Sequence, residues 1–314
     1  MRHVRGRSIG VRPIVEAPRL HLGASPVDPE RTTLYTADEL YDAEPYAASL
    51  DARAYAWSLE DRTPQAALVQ ALHDHAIDEA LTAWITGRHL VGVMGGHDVD
   101  RSSSAYADAA RLGWMLGQDH VVATGGGPGA MEAANLGGYL AAGPRDQLAS
   151  AVASLAGVPS HRPSIDQWAA KARSAQAAAA GAGVQARETL GIPTWFYGHE
   201  PPNLFATSIA KYFRNAIRES ILLQICDAGI VFLPGAGGTV QEIFQDGCEN
   251  YYATPDSVAP MVLVGGEYWT DTLPAWPLLR ALSRGRPMEE HVHLVDTVDE
   301  AAEVMRRRGS PAPG

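Results

Sequence analysis

The apolar positions of this chain change their spacing near residue 90. Before it, prolines at 13, 18, 26 and 29 interrupt any long periodicity, so residues 1–62 read as an irregular arm. Thr63-Pro64 then supplies an N-cap with proline at the first helical position, and the helix it opens stops at Gly87. From Leu90 onward, short apolar runs rich in β-branched residues alternate with amphipathic stretches. Strands are predicted over 90–94, 120–124, 193–197, 228–233, 261–264 and 292–295, and helices over 104–117, 129–140, 204–226, 239–250, 273–282 and 298–307. Such alternation predicts right-handed crossovers and a doubly wound, Rossmann-like parallel sheet covered on both faces. Residues 143–191 interrupt the pattern with an alanine-rich stretch, expected to form helices over one side or the pocket mouth. The expected organisation is an arm and helix over 1–87, one elaborated domain over 88–309 containing this insert, and a frayed tail at 310–314.

Composition narrows the partners. The 314 residues are 46% apolar and 19% charged, as in a globular enzyme. A net charge of −11 argues against a nucleic-acid or membrane-surface partner, which would want a basic face. The basic N-terminus has no apolar core of signal-peptide length and no run reaches membrane-spanning length, so a cytoplasmic protein is expected. Cys226 and Cys248 read as reduced, packed thiols. Of the 25 basic residues only Lys171 and Lys211 are lysines, which leaves few candidates for Schiff-base chemistry. His73 with His75, and His291 with His293, lack the carboxylate or cysteine company of a metal site, and neither a metal nor a cofactor is expected.

The chemistry concentrates in two glycine-rich turns, each between a strand and a helix: Thr124-Gly125-Gly126-Gly127-Pro128-Gly129-Ala130-Met131-Glu132 and Pro234-Gly235-Ala236-Gly237-Gly238-Thr239-Val240-Gln241-Glu242. Backbone N–H groups and a helix N-terminus at such a turn hold phosphate. Both turns, and Gly95-Gly96-His97, fall at the carboxyl ends of strands, where open α/β sheets bind ligands. In the second turn Thr239 adds a hydroxyl donor, while Glu242 is a carboxylate in the first helical turn, unfavourable beside phosphate and so facing another part of the ligand. Neither turn has the spacing of a dinucleotide fingerprint.

The second turn resembles the PGGxGTxxE motif of the LONELY GUY family, once widely misannotated as lysine decarboxylases. Gly125 to Glu132 look like that family's GGGxxGLM turn, Tyr106, Ala109, Ala110, Leu112 and Gly113 nearly match its first helix, and Arg218 stands nine residues before Asp227 as its helical arginine does. The likeness covers roughly residues 90–265. It implies a Rossmann-like fold, a homodimer or higher homo-oligomer, and hydrolysis of the N-glycosidic bond of a nucleoside 5'-monophosphate, AMP-like, to free base and ribose 5-phosphate. By the same resemblance Arg218 and Glu242 form the catalytic pair, and Gly235, Gly237, Gly238 and Thr239 hold phosphate. Ala236 stands at the motif's second glycine and Gln241 replaces a second carboxylate. With the long N-terminal segment and the insert, this makes the larger nucleotide 5'-monophosphate nucleosidases the better comparison than the cytokinin-activating members.

Other residues enter with two readings each. A carboxylate at Glu242 orients the sugar, stabilises positive charge on the ribose or positions water, or else simply complements the helix dipole. Arg218 holds phosphate or stabilises a departing base. Phe205, Ile209, Phe213, Ile217 and Ile221 form an apolar stripe beside a polar strip of Lys211, Arg214 and Arg218, with Arg214 at ligand or in solvent. The candidate binding set further contains Gly95, His97, Gly125, Gly126, Gly127, Gly129, Met131, Glu132, Ala236 and Ser104. Of these, His97 also reads as a satisfied turn histidine, and Ser104 most simply as part of an N-cap region. Asp246 and Glu249 read as a solvated acidic face, and the loop from His199 to Pro202 as a cover over the pocket. The alternative function is a non-catalytic nucleotide- or phosphorylated-cofactor-binding protein on the same fold.

Overall fold

The computed structural model describes residues 25–196 and 200–309. The basic start of the sequence, His199 and the tail at 310–314 lie outside them. Strands β1 (Leu90–Met94), β2 (Val121–Thr124), β3 (Thr189–Gly191), β4 (Ser208–Ile209), β5 (Gly229–Phe232), β6 (Met261–Val264) and β7 (Val292–Val295) form one seven-stranded sheet. Every pairing is parallel, in the order β4-β3-β2-β1-β5-β6-β7, which is the expected doubly wound α/β architecture. The chain winds outward from β1 to β4, then returns to lay β5 against the other side of β1.

Helices α1 (Ala37–Leu40), α2 (Leu50–Glu60) and α3 (Pro64–Ile85) precede the sheet. They are followed by α4 (Ser104–Leu116), α5 (Ala130–Tyr139), α6 (Arg145–Leu155), α7 (Ile165–Gly181) and α8 (Asn215–Gln224). The last three are α9 (Gly237–Tyr252), α10 (Ala275–Ser283) and α11 (Val298–Gly309). Strand residues alternate between two cores, as period-two side chains must. Ile230 and Phe232 pack with Ile77, Leu222 and Ile243 of α3, α8 and α9, whereas Val231 packs with Tyr106, Ala133 and Ala301 of α4, α5 and α11. Burial on both faces explains why β1, β5 and β6 read as unbroken apolar runs. Among the described residues no helix is long and apolar enough to cross a membrane.

Three expectations need correction. The first concerns the N-terminal segment, which is not irregular from residue 37 onward: Thr36 and Ser49 cap α1 and α2, and the eleven residues of α2 contain neither proline nor glycine. Nor is it loosely packed, since Tyr35, Leu40 and Ala54 are buried.

The second concerns the strand expected at 193–197, which forms earlier, at β3. Pro193 has no N–H to give a ladder, and Thr189 and Thr207 exchange backbone-to-hydroxyl hydrogen bonds of 2.9 and 3.1 Å that fix the pairing there.

The third concerns the helix expected over 204–226, which starts only at Asn215. The Asn203 side chain accepts from the N–H groups of Phe205 and Ala206, and the Asp74 carboxylate accepts from those of Phe213 (3.0 Å) and Arg214 (2.9 Å). The spacing of four between Phe205, Ile209 and Phe213 fits extended chain as well as helix, because four is a multiple of two.

The arm also anchors this segment electrostatically. Lys211 is buried with its ammonium 2.6 Å from Asp51 of α2, which takes it out of the polar strip expected with Arg214 and Arg218. Asp51 also accepts from Trp195 Nε1 at 2.8 Å and from the Tyr46 hydroxyl. Burial pulls the Lys211 ammonium below its usual pKa, against the pull of Asp51. Asp51→Ala is expected to leave a buried, unpaired ammonium and lower stability by about 3 kcal/mol in chemical denaturation, with Lys211→Met in the same chain restoring most of it. An unchanged midpoint for the single variant would contradict this anchoring.

Candidate functional site

Reversal of strand order between β1 and β5 sends the chain after each strand to opposite faces, which opens a crevice at their carboxyl ends. Three turns meet there and are hydrogen-bonded to one another. Gly96 N donates to Pro234 O (3.3 Å), and Ala130 N, at the start of α5, donates to Gly96 O (3.0 Å). Gly129 adopts φ +73°, and a Cβ there would lie 2.5 Å from Gly96 O, so only glycine permits this junction. The turns enclose a cleft of about 750 Å³, within the range of small-molecule sites.

The floor of the cleft is the N-terminus of α9. The first intrahelical bond is made by Val240 N to Ala236 O, so the N–H groups of Gly237, Gly238 and Thr239 open the helix. A Cβ added to Gly237 or Gly238 meets nothing within 4 Å, whereas one on Gly235 would lie 2.1 Å from Thr239 Oγ1 and 2.8 Å from its Cβ. Tyr268 fixes the turn from behind, its hydroxyl donating to Gly235 O at 2.7 Å. The result is a cradle of free donors at the positive end of a sixteen-residue helix, a setting that binds an oxyanion.

The wall beside it carries the charges. Arg218 projects from α8, its Nε donating to Asn215 Oδ1 (3.0 Å) and Nη2 to Glu219 Oε1 (3.0 Å). Its Nη1 lies 3.4 Å from where a Cβ on Gly125 would stand, which places it beside the turn after β2. Glu219 is buried and also accepts from Asn215 Nδ2 (2.7 Å) and Gln241 Nε2. Much of the arginine's charge is therefore countered locally, and Gln241 completes the same network. Glu242 lines the cleft from the first turn of α9. Burial raises its carboxyl to about 7, Arg218 opposing and Glu219 reinforcing the shift.

Of the sequence-derived set, the cleft is lined by Gly95, His97, Gly125, Gly127, Met131, Arg218, Glu242 and the run from Gly235 to Thr239, Ala236 included. Gly126 and Gly129 do not line it; both take positive φ beneath the turn that Gly125 and Gly127 present. Glu132 is elsewhere: its buried carboxylate is paired with Arg101, Nε to Oε2 at 3.0 Å, and the Arg101 guanidinium lies 4.6 Å over the Trp168 ring. It ties α5 to the insert helix α7. Arg214 is the exposed N-cap of α8, and Ser104 the exposed first residue of α4, neither of them on the cleft wall. Asp246, expected in solvent, is buried one turn beyond Glu242, and burial pushes its carboxyl up. Sequence reasoning missed Glu219 and Gln241 as wall residues, and Glu200, of the loop expected over the pocket, lines the cleft with them. For Glu219 and Gln241 the available signal was their adjacency to Arg218 and Glu242.

No family model matches the chain, and no curated protein matches it. Among solved structures it is similar to the molybdenum cofactor binding protein from the phototrophic bacterium Rippkaea orientalis, at 18% identity and a TM-score of 0.43 over 71% of this chain and 98% of that one. It is also similar to the Moco carrier protein from Chlamydomonas reinhardtii, at 17% identity and a TM-score of 0.41 over 70% and 96% of the two chains. Similarity at this level leaves the ligand of this chain to its own side chains.

The cradle has a direct test. Gly237→Ala is expected to leave thermal stability within about 0.5 kcal/mol of the parent while weakening inorganic-phosphate binding, because the added methyl occupies ligand space rather than protein space. Gly235→Ala is expected to destabilise by about 1–3 kcal/mol through overpacking against Thr239. Equal phosphate affinity in Gly237→Ala and the parent would contradict the placement.

Proposed function

We propose that this chain binds a nucleotide-like ligand with a terminal phosphate, holding the phosphate on the open N-terminus of α9 and the remainder along the wall of Arg218 and Met131. The ligand class is a nucleoside 5'-monophosphate or a similarly phosphorylated cofactor. The observation that carries this reading is the run Gly237-Gly238-Thr239, which offers helix-opening N–H groups to the cleft with open space above both glycines. One feature favours binding without turnover: Glu219 counters the charge of Arg218.

A second reading is hydrolysis of the N-glycosidic bond, favoured by the placement of Arg218 and Glu242 in one cleft beside the phosphate cradle. In that reaction the C1'–N bond breaks, water supplies hydroxide to ribose C1' and a proton to the departing base, and ribose 5-phosphate is released. The Glu242 carboxylate would take the proton of the attacking water or stabilise positive charge on the ribose ring. Arg218 would stabilise negative charge on the base or phosphate.

The two readings predict opposite pH dependence. A phosphate dianion is repelled by ionised Glu242, so affinity is expected to fall as pH rises through about 7, a slope that Glu242→Gln removes. Binding is best followed above the ligand's own phosphate ionisation near about 6. Hydrolysis needs the carboxylate, so turnover is expected to rise through about 7 and to drop by about 100-fold or more in Glu242→Gln. Calorimetry and chromatography for free base, with a panel of nucleoside 5'-monophosphates, decide between them. Molybdenum cofactor, named for the solved structures above, joins the panel. Binding without base release supports the first reading and base release the second, while absence of both overturns each.

A further inference from the structure

The phosphate cradle occupies one end of the cleft; the other end is built differently. Because β2 and β5 flank β1 on opposite sides, the turns that follow them stand about two strand spacings apart, roughly 10 Å. The β2 end presents the Met131 thioether, the Pro193 ring and the flat backbone of Gly125 and Gly127. These are surfaces on which a planar heterocycle packs. At its margin stands Glu200, partly buried, with Oε2 3.5 Å from where a Cβ on Gly127 would lie. Its other oxygen lies 3.9 Å from His97 Nε2, a loose pair that leaves the carboxylate able to accept further donors.

We infer that this end of the cleft selects a heterocycle whose edge carries two adjacent N–H donors, a guanine-type edge, and that Glu200 is the residue that reads it. The inference rests on the phosphate-binding reading above and names the ligand class of the same site. A carboxylate accepts two parallel hydrogen bonds from a ring N–H and a neighbouring amino group, and being ionised it makes them strong. An adenine-type edge sets a ring lone pair beside its amino group, so one carboxylate oxygen would face another acceptor. A site built for one hydrogen-bonding pattern rejects the other because its polar groups are left unpaired.

The test is calorimetric titration of the full chain and of Glu200→Gln with GMP, IMP, AMP and ribose 5-phosphate. The parent is expected to bind GMP about tenfold or more tightly than AMP, with IMP, which keeps the ring N–H and lacks the amino group, between them. Glu200→Gln is expected to lose about tenfold in GMP affinity, with ribose 5-phosphate affinity unchanged. AMP binding as tightly as GMP to the parent overturns the inference. So does a Glu200→Gln variant in which GMP and ribose 5-phosphate weaken together. Ribose 5-phosphate binding with no preference among bases overturns the base reading alone, whereas failure of all four ligands overturns the phosphate-binding reading as well.

Discussion

The reversal of strand order at β1 is the constraint on which the site depends. Because β2 and β5 lie on either side of the same central strand, the helices that follow them cover opposite faces, and their N-termini converge on one crevice. The backbone bonds from Gly96 to Pro234 and from Ala130 to Gly96 then make three separate turns behave as one rigid rim. Donors aimed into the cleft are held by the sheet rather than by mobile side chains, so little ordering remains to be done when an anion arrives.

Charge in this cleft is arranged as a balance. Arg218 is oriented by Asn215 and by Glu219, and Glu219 is in turn fixed by Gln241 of α9, so the two helices that frame the cleft are joined through one buried carboxylate. Against that network Glu242 is pushed up by burial. A neutral Glu242 tolerates a phosphate dianion nearby, whereas an ionised one supports development of positive charge on a sugar. The protonation state of this one side chain is therefore where the two proposed readings part. Gln241 donates to Glu219 at a position where a carboxylate would set acid against acid.

Much of this was legible in the sequence, and the failures have physical reasons. β1 and β6 coincide with their predicted spans, because a strand buried on both faces announces itself as an unbroken apolar run between turn residues, and the half-buried edge strand β7 coincides as well. The cradle was legible as well, since glycine, threonine and a helix start are local features. What a one-dimensional reading missed is what long-range contacts decide. Asp74, far upstream, holds the N–H groups of Phe213 and Arg214 and so sets where α8 begins. Asp51 in the arm neutralises Lys211, turning a residue on an expected polar strip into a buried anchor. Glu132 sits in the glycine-turn motif, yet Arg101 draws it away from the cleft. In each case a carboxylate finds its partner across the fold, and sequence spacing carries no record of that.

Whether the opening turn of α9 holds a phosphate is read directly by backbone amide NMR during titration with ribose 5-phosphate, because an N–H that donates to an oxyanion shifts downfield. Saturable downfield shifts are expected at Gly237, Gly238 and Thr239, with smaller changes around Gly125. Saturation with those three amides unmoved, or with the largest shifts at another helix, would contradict phosphate binding there.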